Sequence, residues 1–260
     1  MQVSPPIAAK RPHELSIHGH SRTDDYYWLR DDSRTNKEVL AYLDAENNYA
    51  KKIMAHTDER QKTLYDELRS RIKEDDESVP VRLGDYWYSI SYSAGQEHEQ
   101  YLRRTTPTDA PEVILDVNEL AEPFEFYNVK GTTVTPDGHF LAYTEDTIGR
   151  DERVVRIKDL QTGNTLADRI PMVSNDLEWA NDNGTLFYVK LQEETLIPYQ
   201  VWRHKIGTNT DSDVLVYEEP DSTFILALDK SRDDRHILLA SVQTLATEFR
   251  SIPADDPERA

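Results

Sequence analysis

Residues 131–163 read GTTVTPDGHFLAYTEDTIGRDERVVRIKDLQTG, and this stretch decides the fold because its grammar can be laid over the residues on both sides of it. Residues 132–135 are a short β-branched run, Pro136-Asp137-Gly138 carries tight-turn chemistry, and 140–144 is a second apolar run. A charged connection follows, then Val154, Val155 and Ile157 predict a third strand before Asp159-Leu160-Gln161-Thr162-Gly163 turns the chain again.

The pattern recurs downstream. Residues 176–180, the turn 181–184, and the runs 185–191 and 199–206 repeat it, as do 224–228, 232–234, 237–242 and 247–252. Upstream, Gly84-Asp85 precedes 86–92 and 100–104. The turns at Gly84, Gly138, Gly184 and Asp234 are separated by 54, 46 and 50 positions, close to the roughly 40–50 residues of a four-stranded propeller blade. The reading is therefore mainly β, a partial β-propeller of about three and a half blades; a β-sandwich with recurring hairpins is the competing architecture. Residues 112–115, 165–167 and 214–217 are the expected outer strands of the first three blades, and the fourth has none, since PADDPERA follows Ile252. Tyr86, Tyr88, Ile90 and Tyr92 alternate onto one strand face, the pattern of inter-blade core.

Two predicted α-helices precede the blades. Residues 1–34 are polar, contain Pro5, Pro6 and Pro12, and read as an extended arm with one aromatic cluster around Trp28 that suits the groove of something larger. Thr35 and Glu38 have capping-box spacing, and Val39, Leu43, Ala50 and Ile53 fall near helical spacing, predicting a helix over 36–55. Leu64, Tyr65, Leu68 and Ile72 predict another over 58–73, and the acidic run 74–77 reads as a solvated linker. The expected division is an arm and helical segment over 1–77 and an incomplete propeller over 78–260.

The balance of 30 basic to 49 acidic residues gives a net charge of −19, which argues against a nucleic-acid-binding surface and favours cationic partners. The chain has no cysteine, so neither a disulfide framework nor a thiolate site is available. No apolar run is long enough for a membrane span and the amino terminus lacks a signal-like apolar core, so the expected location is cytoplasmic.

The residues offer little chemistry. No two of the nine glycines are four positions apart, which excludes G-x-S-x-G, and none have the spacings of G-x-G-x-x-G or the Walker loop. Gly19-His20-Ser21-Arg22-Thr23 is a decoy with no strand before it. His13-Glu14 with His18 misses the i, i+4 spacing of a zinc helix because position 17 is Ile17. Glu97-His98-Glu99, read as part of a strand, would split its groups between two faces, and the pair Glu218-Glu219 has no visible acid–base partner. No catalytic, cofactor-binding or metal-binding residue is assigned.

Several blocks nevertheless carry a family pattern. PPIAAKRPHE and HGHSRTDDYYWLRDD, then ELRSRIKEDDESVPVRLGDYWYS, ILDVNELAEPFEFYNV and PYQVWRHKIGT, together resemble the amino-terminal part of oligopeptidase B, a cytosolic serine peptidase of the prolyl oligopeptidase family. Asp25 stands where that family's block usually has Pro. The resemblance implies a seven-bladed propeller capping an α/β-hydrolase domain, with the helical amino terminus packed on that domain and a Ser-Asp-His triad cleaving basic oligopeptides after Lys or Arg. It also places the triad and specificity residues beyond these 260 residues, so the chain alone is expected to be inactive, with the hydrolase domain as its partner. The alternatives are a stand-alone propeller-type interaction module and a non-catalytic subunit of a split peptidase.

Overall fold

The computed structural model describes residues 4–259, which divide into two compact units, one ending at Lys73 and the other beginning at Glu74. The first three residues of the predicted arm and Ala260 lie outside the described residues.

In the first unit the arm is not simply extended. His13–Ile17 (β1) and His20–Asp24 (β2) pair as an antiparallel hairpin, turned by His18 and Gly19 at φ 51° and 77°. Its residues alternate without an apolar face, so hydrophobic periodicity could not reveal it. Trp28 finds partners within the unit itself: its Nε1–H donates to the Ala9 carbonyl at 2.8 Å, the Arg11 guanidinium lies 4.5 Å from the ring centroid, and Tyr42 meets it edge-on. Helix α1 spans Lys37–Met54 and α2 spans Asp58–Ser70, so the second is shorter than its apolar spacing suggested. The capping box does not form. Asn36 caps α1 instead, its Oδ1 accepting from the Glu38 amide at 3.0 Å, while the Glu38 carboxylate is held by Arg11.

The second unit is a series of antiparallel sheets. Asp76–Glu77 (β3), Val81–Leu83 (β4), Tyr86–Tyr92 (β5), Gln100–Arg104 (β6) and Glu112–Asp116 (β7) make the first, with both β3 and β4 on the free side of β5. The acidic run is thus partly sheet: Asp76 and Glu77 pair with Tyr92 and Ser91, and Glu77 holds the buried Arg104 at 2.5 Å. A short helix, Val117–Ala121 (α3), leads to Asn128–Val134 (β8), Phe140–Asp146 (β9), Arg153–Asp159 (β10), Thr165–Trp179 (β11), Thr185–Leu191 (β12), Pro198–Lys205 (β13) and Val214–Glu218 (β14). Ile225–Lys230 (β15), His236–Val242 (β16) and Thr247–Pro253 (β17) form the last sheet, which has three strands among the described residues.

The second and third blades are joined in one seven-stranded ladder. Where the sequence suggested an outer strand at 165–167 and a new inner strand at 176–180, β11 runs continuously through both. Its first part pairs with β10 and its second with β12; Met172 at φ 58° marks the change of partner. Three apolar cores lie between successive blades. Leu115, Val117, Val129, Leu141 and Tyr143 fill the first, Val155, Ile157, Trp179 and Leu186 the second, and Phe187, Val201, Leu226, Ile237 and Ile252 the third. Each blade buries one face on its neighbour, so no blade has a complete core alone.

The blade-opening turns share one construction. The backbone N–H groups of Thr135, Ala180 and Ser231 donate across a closed four-residue loop to the carbonyls of Phe140, Thr185 and His236, and Asp137, Asp182 and Asp233 turn their carboxylates onto amides two residues on. The left-handed position is Gly138, Asn183 and Asp234, at φ 72°, 58° and 57°. The third-repeat equivalent is therefore Asn183 rather than Gly184.

Candidate functional site

The surface carries two features suited to binding, an acidic aromatic cavity and an apolar helical face. A cavity of about 610 Å³ opens between the second and third strands of the first blade and the segment leading into the second blade. Tyr92, Phe124, Phe126 and Tyr127 form its aromatic walls, and Glu97, Glu99, Glu122 and Glu125 its rim. Phe124 stacks on Tyr127 with centroids 5.2 Å apart, and the Phe126 ring lies flat against Gly149, where a side chain would meet it at 3.5 Å. The Tyr127 hydroxyl donates to Glu145 at 2.6 Å; burial, aided by this bond, raises its phenol well above the ordinary range. Carboxylates beside exposed rings suit a cationic group by charge and by cation–π attraction. The lining holds no Ser, Thr, Cys or Lys.

The helices of the first unit carry an uncovered apolar surface. Leu43, Ile53 and Met54 of α1 and Leu64, Tyr65 and Leu68 of α2 are all exposed, as is Ile72 just beyond. Val39 is the one fully buried apolar residue of these two helices. Such a concentration exceeds the scattered exposure of an ordinary surface and marks an interaction face.

The sequence decoys separate in space. Ser21 lies on β2, its Oγ 2.5 Å from that of Ser16. His13 stacks on Tyr27 at 4.1 Å. Glu97, His98 and Glu99 lie in a loop, not a strand, and all three line the acidic cavity. Glu218 and Glu219 accept from Gln200 and Tyr217 respectively. No group of His, Asp and Glu among the described residues has the arrangement of a metal site.

Sequence reasoning missed a buried cluster. His204 on β13 is fully buried between Asp168 of β11 and Asp213, with Tyr188 of β12 donating to Asp213 at 2.9 Å. Its members come from three separate blocks of sequence. The available signal was spacing: Arg104, Lys158 and His204 are 54 and 46 positions apart, the same intervals as Gly84, Gly138 and Gly184 in the sequence.

Successive antiparallel blades sealed by apolar inter-blade cores define a β-propeller domain. More specifically, residues 5–260 match the family model described as prolyl oligopeptidase, N-terminal beta-propeller domain, and the chain belongs to that family. It is 40% identical to dipeptidyl aminopeptidase BI of Pseudoxanthomonas mexicana over 98% of its own length and 38% of the relative's. It is 36% identical to Protease 2 of Moraxella lacunata, over 97% of this chain and 37% of that protein. Among solved structures, oligopeptidase B from Leishmania major superposes with a TM-score of 0.88 at 30% identity, covering 97% of this chain and 38% of that one. The chain thus spans well under half the length of these relatives and corresponds to their propeller portion.

Proposed function

We propose that the chain is the amino-terminal propeller portion of an oligopeptidase B-like serine endopeptidase, a cytoplasmic enzyme that in its whole form cleaves short basic peptides after Lys or Arg. Its own role is to cap and gate, and the nucleophile, base and oxyanion donors belong to a hydrolase domain that pairs with it. The observation that carries this reading is the match over 5–260 to a propeller family whose relatives are peptidases some two and a half times as long. The exposed apolar face of α1 and α2 supplies a surface for the hydrolase domain, and the net charge of −19 favours cationic substrates over anionic ones.

A second reading comes from the relative named dipeptidyl aminopeptidase BI, whose identity of 40% exceeds the 36% of Protease 2. Under it the whole enzyme releases dipeptides from a free amino terminus. The test is sedimentation of the purified chain with a separately produced hydrolase domain of a relative, followed by assay of arginyl reporters with free and with acetylated amino termini. A stable complex cleaving both reporters supports the endopeptidase reading, and cleavage of the free form alone supports the second. Absence of any complex overturns the assigned partner.

A further inference from the structure

The third strand of one blade repeatedly sends a cation back to the outer strand of the blade before it. Lys158 on β10 donates from Nζ to the Ile114 carbonyl of β7 at 2.9 Å. Arg250 on β17 holds its guanidinium 4.1 Å from the centroid of Tyr217 on β14. Between these, His204 on β13 places Nε2 2.9 Å from Asp168 Oδ1 of β11. Register makes His204 the equivalent of Lys158: Lys158 faces Leu141 and His204 faces Leu186, each three residues past its left-handed turn residue. An imidazole therefore occupies a lysine position.

Both ring nitrogens face carboxylates, Nδ1 lying 2.6 Å from Asp213 Oδ1. A neutral imidazole has one N–H, and a carboxylate only accepts, so satisfying both contacts requires the doubly protonated ring. We propose that His204 is an inter-blade latch, an imidazolium at neutral pH whose deprotonation in alkali releases the outer strand of the second blade from the third. Burial opposes the charged ring, but the hydrogen bonds to Asp213 and Asp168 outweigh it and raise its pKa.

The surroundings concentrate this role in one proton. Tyr188 donates to Asp213 Oδ2 at 2.9 Å and the Gly207 amide to Asp168 Oδ1 at 2.6 Å. Of the neighbouring charged groups, Lys205 is turned to Asp182 at 3.0 Å, Arg203 donates to the Pro257 carbonyl, and Asp211 is exposed in the turn beyond. An open cavity of about 330 Å³ lined by Asp168, Arg169, Gly207 and Thr208 gives the proton a way to solvent. When it leaves, one carboxylate loses its ring donor inside the protein, a costly state that opening of the contact relieves.

The sign follows. A raised folded pKa stabilises fully below the ordinary histidine value, and that stabilisation is lost as pH rises through the folded value. The experiment is nitrogen-15 NMR of the histidine rings of the whole chain, repeated on His204→Lys, which keeps a cation at the Lys158 register. At about pH 8, where a free imidazole is neutral, one ring should remain doubly protonated, and that signal should vanish in the variant. Amide exchange in β11 and residues 204–214, corrected for intrinsic rate, should then rise about tenfold per pH unit through the ring's titration and stay flat in the variant. Neutral rings throughout at that pH, a signal that survives the substitution, or exchange indifferent to the titration would each overturn the latch.

Discussion

The carboxamide oxygen of Asn183 accepts a hydrogen bond from the backbone N–H of Asp137 at 3.0 Å, tying the tip of the third blade's first hairpin to the tip of the second's. The chain of contacts continues on both sides: Arg103 donates to the Gly138 carbonyl at 2.6 Å, and Asn181 donates to the Asp234 carbonyl at 2.9 Å. Adjacent blades are thus joined at their turns as well as through their apolar cores.

Asn183 serves two purposes, since it also holds φ at 58°. Asn183→Gly keeps the backbone relaxed and loses only the inter-blade bond, so it should cost about 1 kcal/mol. Asn183→Ala loses both and should cost about 2 kcal/mol. Denaturant titration of the two variants side by side checks the order; equal effects would mean the left-handed backbone carries no cost, and a glycine variant as stable as the parent would mean the side-chain bond is not formed.

Gly131 and Gly163 both have positive φ but differ in what surrounds them. A Cβ on Gly131 would sit 2.2 Å from the Asn175 carbonyl oxygen, whereas one on Gly163 would meet nothing within 4 Å. Gly163→Ala should cost about 1 kcal/mol from backbone conformation alone. Gly131→Ala must also push β8 from β11, and should cost roughly 3 kcal/mol or more. Melting curves of the two variants distinguish these outcomes.

Glu178 is a liability at neutral pH. Burial pushes its carboxyl up to about 7, with Lys230 opposing and Asp229 and Asp176 adding to the rise. The folded state favours the protonated acid, so stability is greatest below the ordinary carboxyl value and falls as pH rises from there toward 7. Glu178→Gln should therefore stabilise by about 2 kcal/mol at neutral pH, and the gain should disappear in acid. A variant no more stable than the parent at neutral pH would contradict the assignment.

Much of this architecture was legible because its signals are local. Alternation around Phe140 and Phe187 and the Pro-Asp-Gly chemistry at 136–138 located strands and turns to within a residue or two. The left-handed position in the third repeat was displaced by one because Asn183 and Gly184 are both good turn residues, and only the hydrogen bond to Asp137 decides between them. The continuity of β11 was not legible because 165–167 and 176–180 carry separate strand signals, while residues between them, Pro171 opposite Val154 included, stay in the ladder. The polar β1–β2 hairpin offered no apolar period. The His204 cluster depends on Asp168 and Asp213 arriving from different segments, information carried by packing and not by any local pattern.

On the proposed function, these 260 residues form a scaffold whose chemistry belongs to a separate domain. An isolated hydroxyl such as that of Ser21 lacks the aligned base and oxyanion donors that amide attack requires, and diffuse negative charge does not position a scissile bond. The most direct measurement is hydrolysis of an arginyl-amide reporter by the purified chain, with and without a separately produced hydrolase domain. Expected are buffer-level cleavage by the chain alone and cleavage in the mixture that vanishes when the added domain's nucleophilic serine is replaced by Ala. Cleavage by the chain alone that survives repurification and is abolished by changing one of its own serines to Ala would contradict the proposed function.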